Sequence, residues 1–333
     1  MGELDLMTCK VCGSKLIELV TYRNMVCGAL SLPAAETLSK DVGIDIPLTQ
    51  CSGCGLVQIA ASPVDYYTKA FRTQFWTSEP WRHKQINDFI IEFNLKGKKI
   101  NTIMEEPKPS SYDAFLMFNY LEHFPYPKST LGQIRDNLID PGMGIIEVPN
   151  FDMITRERIF SEIVIDHLFY YTADTLRFTL TASGFDVLRL DEFLDGYILS
   201  ATVRKRVPLD IKPFIDQENK LRNEIREYIK DFSSIAIWGA GHQSLVLLKD
   251  PVLQSKVLYV VDSSSRKQGH YTSLSHIPIV HPDTLKLKPV SALLILVGGF
   301  YDSVSTQLNN LNLDYPYSLA RIIKTDLEVL RSR

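Results

Sequence analysis

The sequence predicts an α/β chain in three parts: a small metal-binding module, a shortened parallel-sheet domain, and a second, complete parallel-sheet domain. Three observations carry this. Two Cys-x-x-Cys pairs, CKVCGS and CSGCGL, lie near the N-terminus. Apolar runs of strand length alternate with helical patterns further on, as in DAFLMFN, GIIEVPN, SIAIWGAG and SALLILVGGF. Only 14 residues separate Gly97 from Tyr112, whereas one strand–helix–strand unit takes about 30. The boundaries fall at 1–62, 63–206 and 207–333.

Bulk composition narrows the function classes. The chain of 333 residues is 45% hydrophobic and 23% charged, with a net charge of −3. A surface that tracks nucleic-acid phosphates needs a basic excess, so nucleic acid is not an expected partner. The start, MGELDLMTC, is acidic and lacks the apolar core of a signal peptide. No apolar run approaches the roughly 18–20 residues that span a bilayer. A cytoplasmic protein with a small-molecule substrate is expected.

The N-terminal module rests on Cys9, Cys12, Cys51 and Cys54. Each pair sits on a tight turn followed by a glycine, which lets both sulfurs face one point. Four thiolates suit tetrahedral Zn²⁺ and leave no position for water, so the expected metal is structural. The 38 residues between Cys12 and Cys51 are longer than in a compact zinc ribbon and imply a small insertion, such as a hairpin. The bland alternative is a redox pair or unrelated thiols. Cys27, in MVCGAL, reads as a small buried hydrophobe.

In the middle part, the spacing of Ile86, Phe89, Ile90 and Phe93 predicts a helix over 81–93 with one apolar face. DAFLMFN predicts a buried strand with a polar cluster at its C-terminal end, where ligands bind in open α/β sheets. A helix (PKSTLGQIRDNL), a turn (DPGMG) and a strand (GIIEVPN) follow. VIDHLFYYTADTLRFTLTASGF then predicts a loop and a helix, and DVLRLDEF and GYILSATVRKR two more strands.

These marks together resemble the three-domain, zinc-containing, S-adenosylmethionine (SAM)-dependent sugar C-methyltransferases. The marks are CKVCGS with CSGCGLVQ, NYLEHF, GIIEVPNF, DHLFYYTADTL, and IAIWGAGHQ with VVDSSSRKQGHYTSLSHIPIVHP, in that order over nearly the whole chain. The resemblance implies a truncated Rossmann-like methyltransferase domain and a second Rossmann-like domain at the C-terminus. It implies SAM as cofactor and a nucleotide-linked keto sugar or similar substrate. The family's Tyr-x-Glu-His motif is matched by Tyr120, Glu122 and His123, and His167 matches a second histidine near the substrate. Where many relatives have His-Glu-His, this chain has Ile165, Asp166 and His167. The chemistry fits the residue types. Histidine near neutral pKa can take a proton from carbon beside a ketone. A carboxylate can orient its ring, and a tyrosine hydroxyl can polarise the ketone. His123 is then the expected base. The alternative for NYLEHF is a strand end with a satisfied histidine and a solvated glutamate.

The short stretch KGKKINTIMEEPKPSSYDAF complicates this reading. A SAM-binding sheet opens with a strand, a glycine-rich turn, a helix and a second strand whose acidic end holds the ribose. Here no glycine lies between Gly97 and Tyr112, and the Glu105–Glu106 pair reads as solvated charge. Three readings stand: a degenerate relative that keeps the substrate pocket, a chain with an internal deletion, and an unorthodox SAM site. A shortened sheet also exposes an edge, which other elements or a second copy in a homo-oligomer would cover.

In the C-terminal part, Leu221, Ile225, Tyr228, Ile229 and Phe232 share one face of an expected helix. SIAIWGAGHQSLVLL then predicts strand, glycine turn and helix. Gly239, Gly241 and Asp262, with Asp262 23 residues after Gly239, form a candidate cofactor-binding set that permits NAD. Ser244 stands where a third glycine would be, and a turn that needs only close packing explains the same pattern. Arg266, Lys267, His270, His276 and His281 are candidate phosphate contacts or a solvated loop.

Overall fold

Both cysteine pairs flank an antiparallel sheet. The computed structural model describes residues 7–26, 32–60, 79–103 and 111–332. In it, β1 (Leu16–Met25) pairs with β2 (Ile44–Cys51), and β2 pairs with β3 (Val57–Ile59). This is the hairpin expected between the pairs. The fourth strand comes from far along the chain: β7 (Phe169–Tyr170) pairs with β3, setting Val57 opposite Tyr170. Ile46, Leu48, Val57 and Ile59 form one core with Phe151, Ile154, Ile163 and Ile165. The cysteine module therefore shares its sheet and its core with residues beyond 150. Contacts place it within one unit, Met1–Pro208, and the rest in a second, Leu209–Arg333.

The second sheet of unit 1 has strand order β4 (Ile100–Thr102), β5 (Tyr112–Phe118), β6 (Leu138–Pro149), β9 (Ile198–Lys205), β8 (Phe185–Phe193). The first three are parallel and β9 runs against β6. Side chains alternate across β5, as a strand requires. Phe115 and Met117 join a core with Leu131 and Ile134 of α2 (Pro127–Asn137) and Leu176 and Leu180 of α4 (Ala173–Ala182). Ala114, Leu116 and Phe118 face Phe89 of α1 (Pro80–Glu92). Between these helices in sequence lies the short α3 (Phe151–Glu157). Burial on both faces explains why β5 reads as a continuous apolar run. A Cβ at Gly144 would lie 2.1 Å from the Phe115 ring, so that glycine is required by close packing.

Two expectations change here. DPGMG is not a turn between helix and strand. Pairing runs Tyr112↔Leu138 and resumes at Ala114↔Met143, so these residues form a bulge inside β6. The segment after His167 is also more than a loop, because β7 ties it to the cysteine sheet. Among the described residues β4 pairs with β5 alone. Cys27, Glu105, Glu106 and most of EPKPSS lie outside the described residues.

Unit 2 is a six-stranded sheet of order β12 (Ile279–Val280), β11 (Val257–Val261), β10 (Ile235–Trp238), β13 (Ala292–Ile295), β14 (Ser318–Ile323), β15 (Asp326–Arg331). Only the last pair is antiparallel. One face packs on α5 (Lys212–Ile229), α6 (His242–Leu247) and α7 (Pro251–Lys256) through Ile225, Ile229, Leu247 and Leu253. The other packs on α8 (Thr284–Leu287) and α9 (Tyr301–Asn310) through Leu285, Val304 and Leu308. The expected apolar face of α5 is the one that packs, since Leu221, Tyr228 and Phe232 lie against the same core. No helix among the described residues is long and apolar enough to cross a membrane.

Candidate functional site

The four cysteines converge. Cys9 Sγ lies 3.7 Å from Cys54 Sγ, and Cys12 Sγ 3.3 Å from Cys51 Sγ. All four sulfurs fall within 4.8 Å of one another. The two turns are built alike. Gly13 N–H donates to Cys9 O and Gly55 N–H to Cys51 O, with both glycines at positive φ. Backbone amides point at sulfur, from Val11 to Cys9 and from Gly53 and Cys54 to Cys51. Bonds of about 2.3 Å from a tetrahedral zinc place sulfurs about 3.8 Å apart. Donor set, spacing and amide orientation fit that ion. A closed four-thiolate shell would give it a structural role.

The second cluster stands at the C-terminal end of β5. Asn119 leaves the strand at φ 54°, and a 3-10 turn, Leu121–His123, presents Glu122 and His123 together. The loop carrying His167 is fastened to that turn by Leu168 N–H donating to Glu122 O at 2.9 Å. Asp166 O receives the Nδ1–H of His123 at 2.7 Å, which leaves the lone pair of the neutral ring on Nε2. That Nε2 lies 3.7 Å from Glu122 Oε1. The His123 and His167 rings meet edge to face at 5.0 Å, and Tyr120 stands 6.1 Å from His123. The fold thus gathers Tyr120, Glu122, His123 and His167 from one strand end and one loop.

Burial sets the charge states of this cluster. Glu122 is 1% exposed, and neither carboxylate oxygen takes a hydrogen bond from another described residue. Burial, with Asp166 adding, pushes its carboxyl up to about 8. Burial and then His167 hold His123 down to about 3. His167 is also lowered, by burial against the opposing charges of Asp166 and Glu162. These shifts act in the direction of neutral imidazoles and a protonated Glu122 carboxyl. Asp166 stands where many relatives carry Glu, and its backbone carbonyl fixes the His123 tautomer, a role no sequence pattern assigns. Sequence reasoning also missed Tyr171, whose buried hydroxyl has no hydrogen-bond partner among the described residues. A carbonyl carries no sequence signature, and one tyrosine of an aromatic run does not stand out.

A buried ion pair on the opposite face of the sheet was also missed. Arg82 Nη1 meets Glu147 Oε2 at 2.6 Å with both side chains fully buried. Ser200 Oγ and Gln85 Nε2 donate to Glu147 Oε1, and Arg82 lies 3.9 Å over the Phe118 ring. This pair anchors α1 to the sheet.

In unit 2 the glycine turn follows β10, as predicted. Gly239 has φ 110°, and a Cβ there would meet Val297 at 2.5 Å and Leu296 O at 2.7 Å. A pocket of about 780 Å³ opens at the C-terminal edge, lined among others by Gly241, Gln243, Asp262, Lys267 and Phe300. Asp262 is already engaged. It accepts from Ala240 N at 2.7 Å, Ser264 N at 2.9 Å and Lys267 Nζ at 3.0 Å. In this state its carboxylate holds the glycine turn, the task a ribose-binding acid would have to leave. Of the five basic residues of the following loop, Lys267 alone lines the pocket.

Comparison with known proteins gives two family matches. Residues 43–190 match a methyltransferase domain, and residues 212–314 match a C-methyltransferase C-terminal domain. A curated relative, an uncharacterized protein of Methanocaldococcus jannaschii, is 29% identical over 150 residues. That alignment spans 43% of this chain and 66% of the relative. Among solved structures, a SAM-dependent methyltransferase of Thermotoga maritima is 15% identical at a TM-score of 0.26, over 30% of this chain and 61% of that one. Magnesium protoporphyrin IX methyltransferase from Synechocystis is 12% identical at 0.25, over 30% and 48%. Scores at this level say nothing of activity. The domain matches bear out the methyltransferase part of the resemblance.

SAM is the cofactor those matches imply, and the residues present do not fit its usual cradle. No glycine lies between Gly97 and Gly132, so β4 leads into no glycine turn. Among the described residues no strand with an acidic end lies beyond β4.

Proposed function

We propose that this C-methyltransferase-like chain binds a carbonyl substrate, a nucleotide-linked keto sugar or a similar polar ketone, and enolises it at the Tyr120–Glu122–His123–His167 cluster. One observation carries the reading: His123, its Nδ1–H held by Asp166 O, sets Nε2 3.7 Å from the buried Glu122 carboxyl, whose pKa burial raises. The proton on carbon passes to His123 Nε2, and the C–H electron pair moves toward the carbonyl oxygen. Glu122, as the neutral acid, donates a hydrogen bond to that oxygen, a role that a raised carboxyl pKa permits. Tyr120 assists from the strand end. A histidine held this low is a weak base in the resting protein. Its proton is accommodated once the enolate's charge forms beside it.

Among the described residues the usual SAM cradle is lacking. That lack favours a second reading, a relative that binds and enolises its substrate without methylating it. Both are tested by incubating the protein with a nucleotide-linked 4-keto sugar in deuterated buffer and following exchange beside the ketone by NMR. Exchange that His123→Ala abolishes supports the enolising site, and equal exchange by the variant sinks it. A parallel calorimetric titration with SAM separates the readings: micromolar binding favours methylation, and no binding at millimolar SAM favours the reading without it.

A further inference from the structure

We propose that Glu122, His123 and His167 form a second metal site, distinct from the cysteines, that takes a divalent first-row transition-metal ion. One carboxylate oxygen and two imidazole nitrogens lie within 4.8 Å of one another. Bonds of about 2.1 Å to a tetrahedral ion put ligand atoms about 3.4 Å apart. The Glu122–His123 spacing of 3.7 Å is nearly there. The His167 nitrogen lies within 4.8 Å of both.

Three further features support it. The Nδ1–H of His123 is donated to a backbone carbonyl, the arrangement that orients metal-ligating histidines and turns the Nε2 lone pair to the ion. Both ligand-bearing segments are tied together by the Leu168–Glu122 backbone bond, so much of the site is assembled before an ion arrives. Glu122 is a fully buried carboxyl with no donor from another described residue. An ion that displaces the carboxyl proton gives these buried oxygens a partner. Two nitrogens and one carboxylate select an ion of zinc, cobalt or iron(II) type over calcium or magnesium.

The binding site stands on the geometry alone. One consequence rests on the enolising role above: an ion on Nε2 occupies the lone pair that would take the proton. Metal binding and proton acceptance by His123 exclude each other, so the ion is an inhibitor of that step.

The test counts ions and does not need turnover. The full chain is loaded with Co²⁺, desalted and assayed for metal and visible absorption. The cysteine site gives intense thiolate-to-cobalt charge transfer, which reports that unit 1 is folded. The wild type is expected to hold about two ions per chain. The second adds weaker visible bands without charge transfer. Glu122→Gln and His167→Ala are each expected to hold about one, with the thiolate band intact. A wild type that holds only the thiolate-bound ion overturns the proposal. So does a second ion that survives in both variants. Should either variant lose the thiolate band, X-ray absorption on the doubly loaded wild type decides: imidazole scattering around the second ion is required, and its absence overturns the site.

Discussion

The two parallel sheets of this chain treat their C-terminal edges in opposite ways. In unit 2 the edge has a glycine turn, a pocket, and an acid whose oxygens are taken up by Ala240, Ser264 and Lys267. In unit 1 the described residues of the edge form no glycine turn, and Glu122 is buried there with no donor from another described residue, beside two lowered histidines. A satisfied edge is explained by folding alone. An edge that keeps unsatisfied titratable groups out of water costs stability, and such costs gather where a protein does chemistry. The complete-looking sheet is therefore the weaker pointer to reactivity, and the shortened one the stronger.

The largest expected effect would break the comparison at its base. Cys51→Ser removes one thiolate and a side chain that is 3% exposed in the unit 1 core. Structural zinc contributes about 10–16 kcal/mol in small peptides. Calorimetry should show unit 1 losing its transition while unit 2 keeps its own. An unchanged unit 1 transition would mean that the four thiols hold no structural ion.

Next comes the pair that fixes α1. Arg82→Met leaves Glu147 charged and buried, at a cost of about 3–5 kcal/mol. Adding Glu147→Gln should return most of that in urea unfolding. If the double variant is no better than the single, the loss comes from packing on Phe118 and not from the stranded charge.

How far the sequence disclosed these features depends on how local they are. Two matched Cys-x-x-Cys turns announce their convergence, because each needs only four residues and a glycine. The apolar run of β5 and the apolar face of α5 were equally readable. The bulge in β6 was not, since DPGMG carries the chemistry of a turn and only pairing with β5 keeps it in the sheet. The β3–β7 pair joins residues over 100 apart, and a two-residue strand has no period to detect. In the site, Tyr120, Glu122 and His123 stood out as a motif. The Asp166 carbonyl and the Tyr171 hydroxyl did not, because their roles come from the folded loop.

Acid–base behaviour sharpens the contrast between the edges. The unfolded Glu122 carboxyl titrates near 4.3, and the folded one near 8. Between these values the folded state keeps a proton the unfolded chain has released. The stabilisation is full below the unfolded value and is lost as pH rises toward 8. His123 and His167 are lowered, so their contribution runs the other way and is nearly complete about one pH unit above their unfolded value of about 6.5. From about pH 7.5 to 8, Glu122 is the one cluster member still changing. Its slope, at most ~1.4 kcal/mol per pH unit, falls to about half that at the folded value. Glu122→Gln should flatten this part of the unit 1 profile relative to wild type. A parallel decline in both proteins would place the titration elsewhere.

The smallest effect belongs to the satisfied edge. Burial alone would raise Asp262, but Ser264 N–H, Lys267 and Ala240 N–H outweigh it and hold its carboxyl below the usual range. That contribution is present above the unfolded value of about 3.9 and is lost as pH falls through the folded one. Lys267→Ala removes one of three partners, and the lysine is 44% exposed. An ion pair that wet contributes below about 1 kcal/mol. Unit 2 should melt almost unchanged at pH 7, with its acid-side decline moved slightly upward in pH. The two backbone donors remain, so the glycine turn should keep its shape. A loss of several kcal/mol would mean instead that Lys267, which also donates to Ala240 O at 2.9 Å, is what closes the turn. The edge of unit 2 would then be held by one solvent-facing cation, and its pocket would open and close with whatever anion draws that cation away.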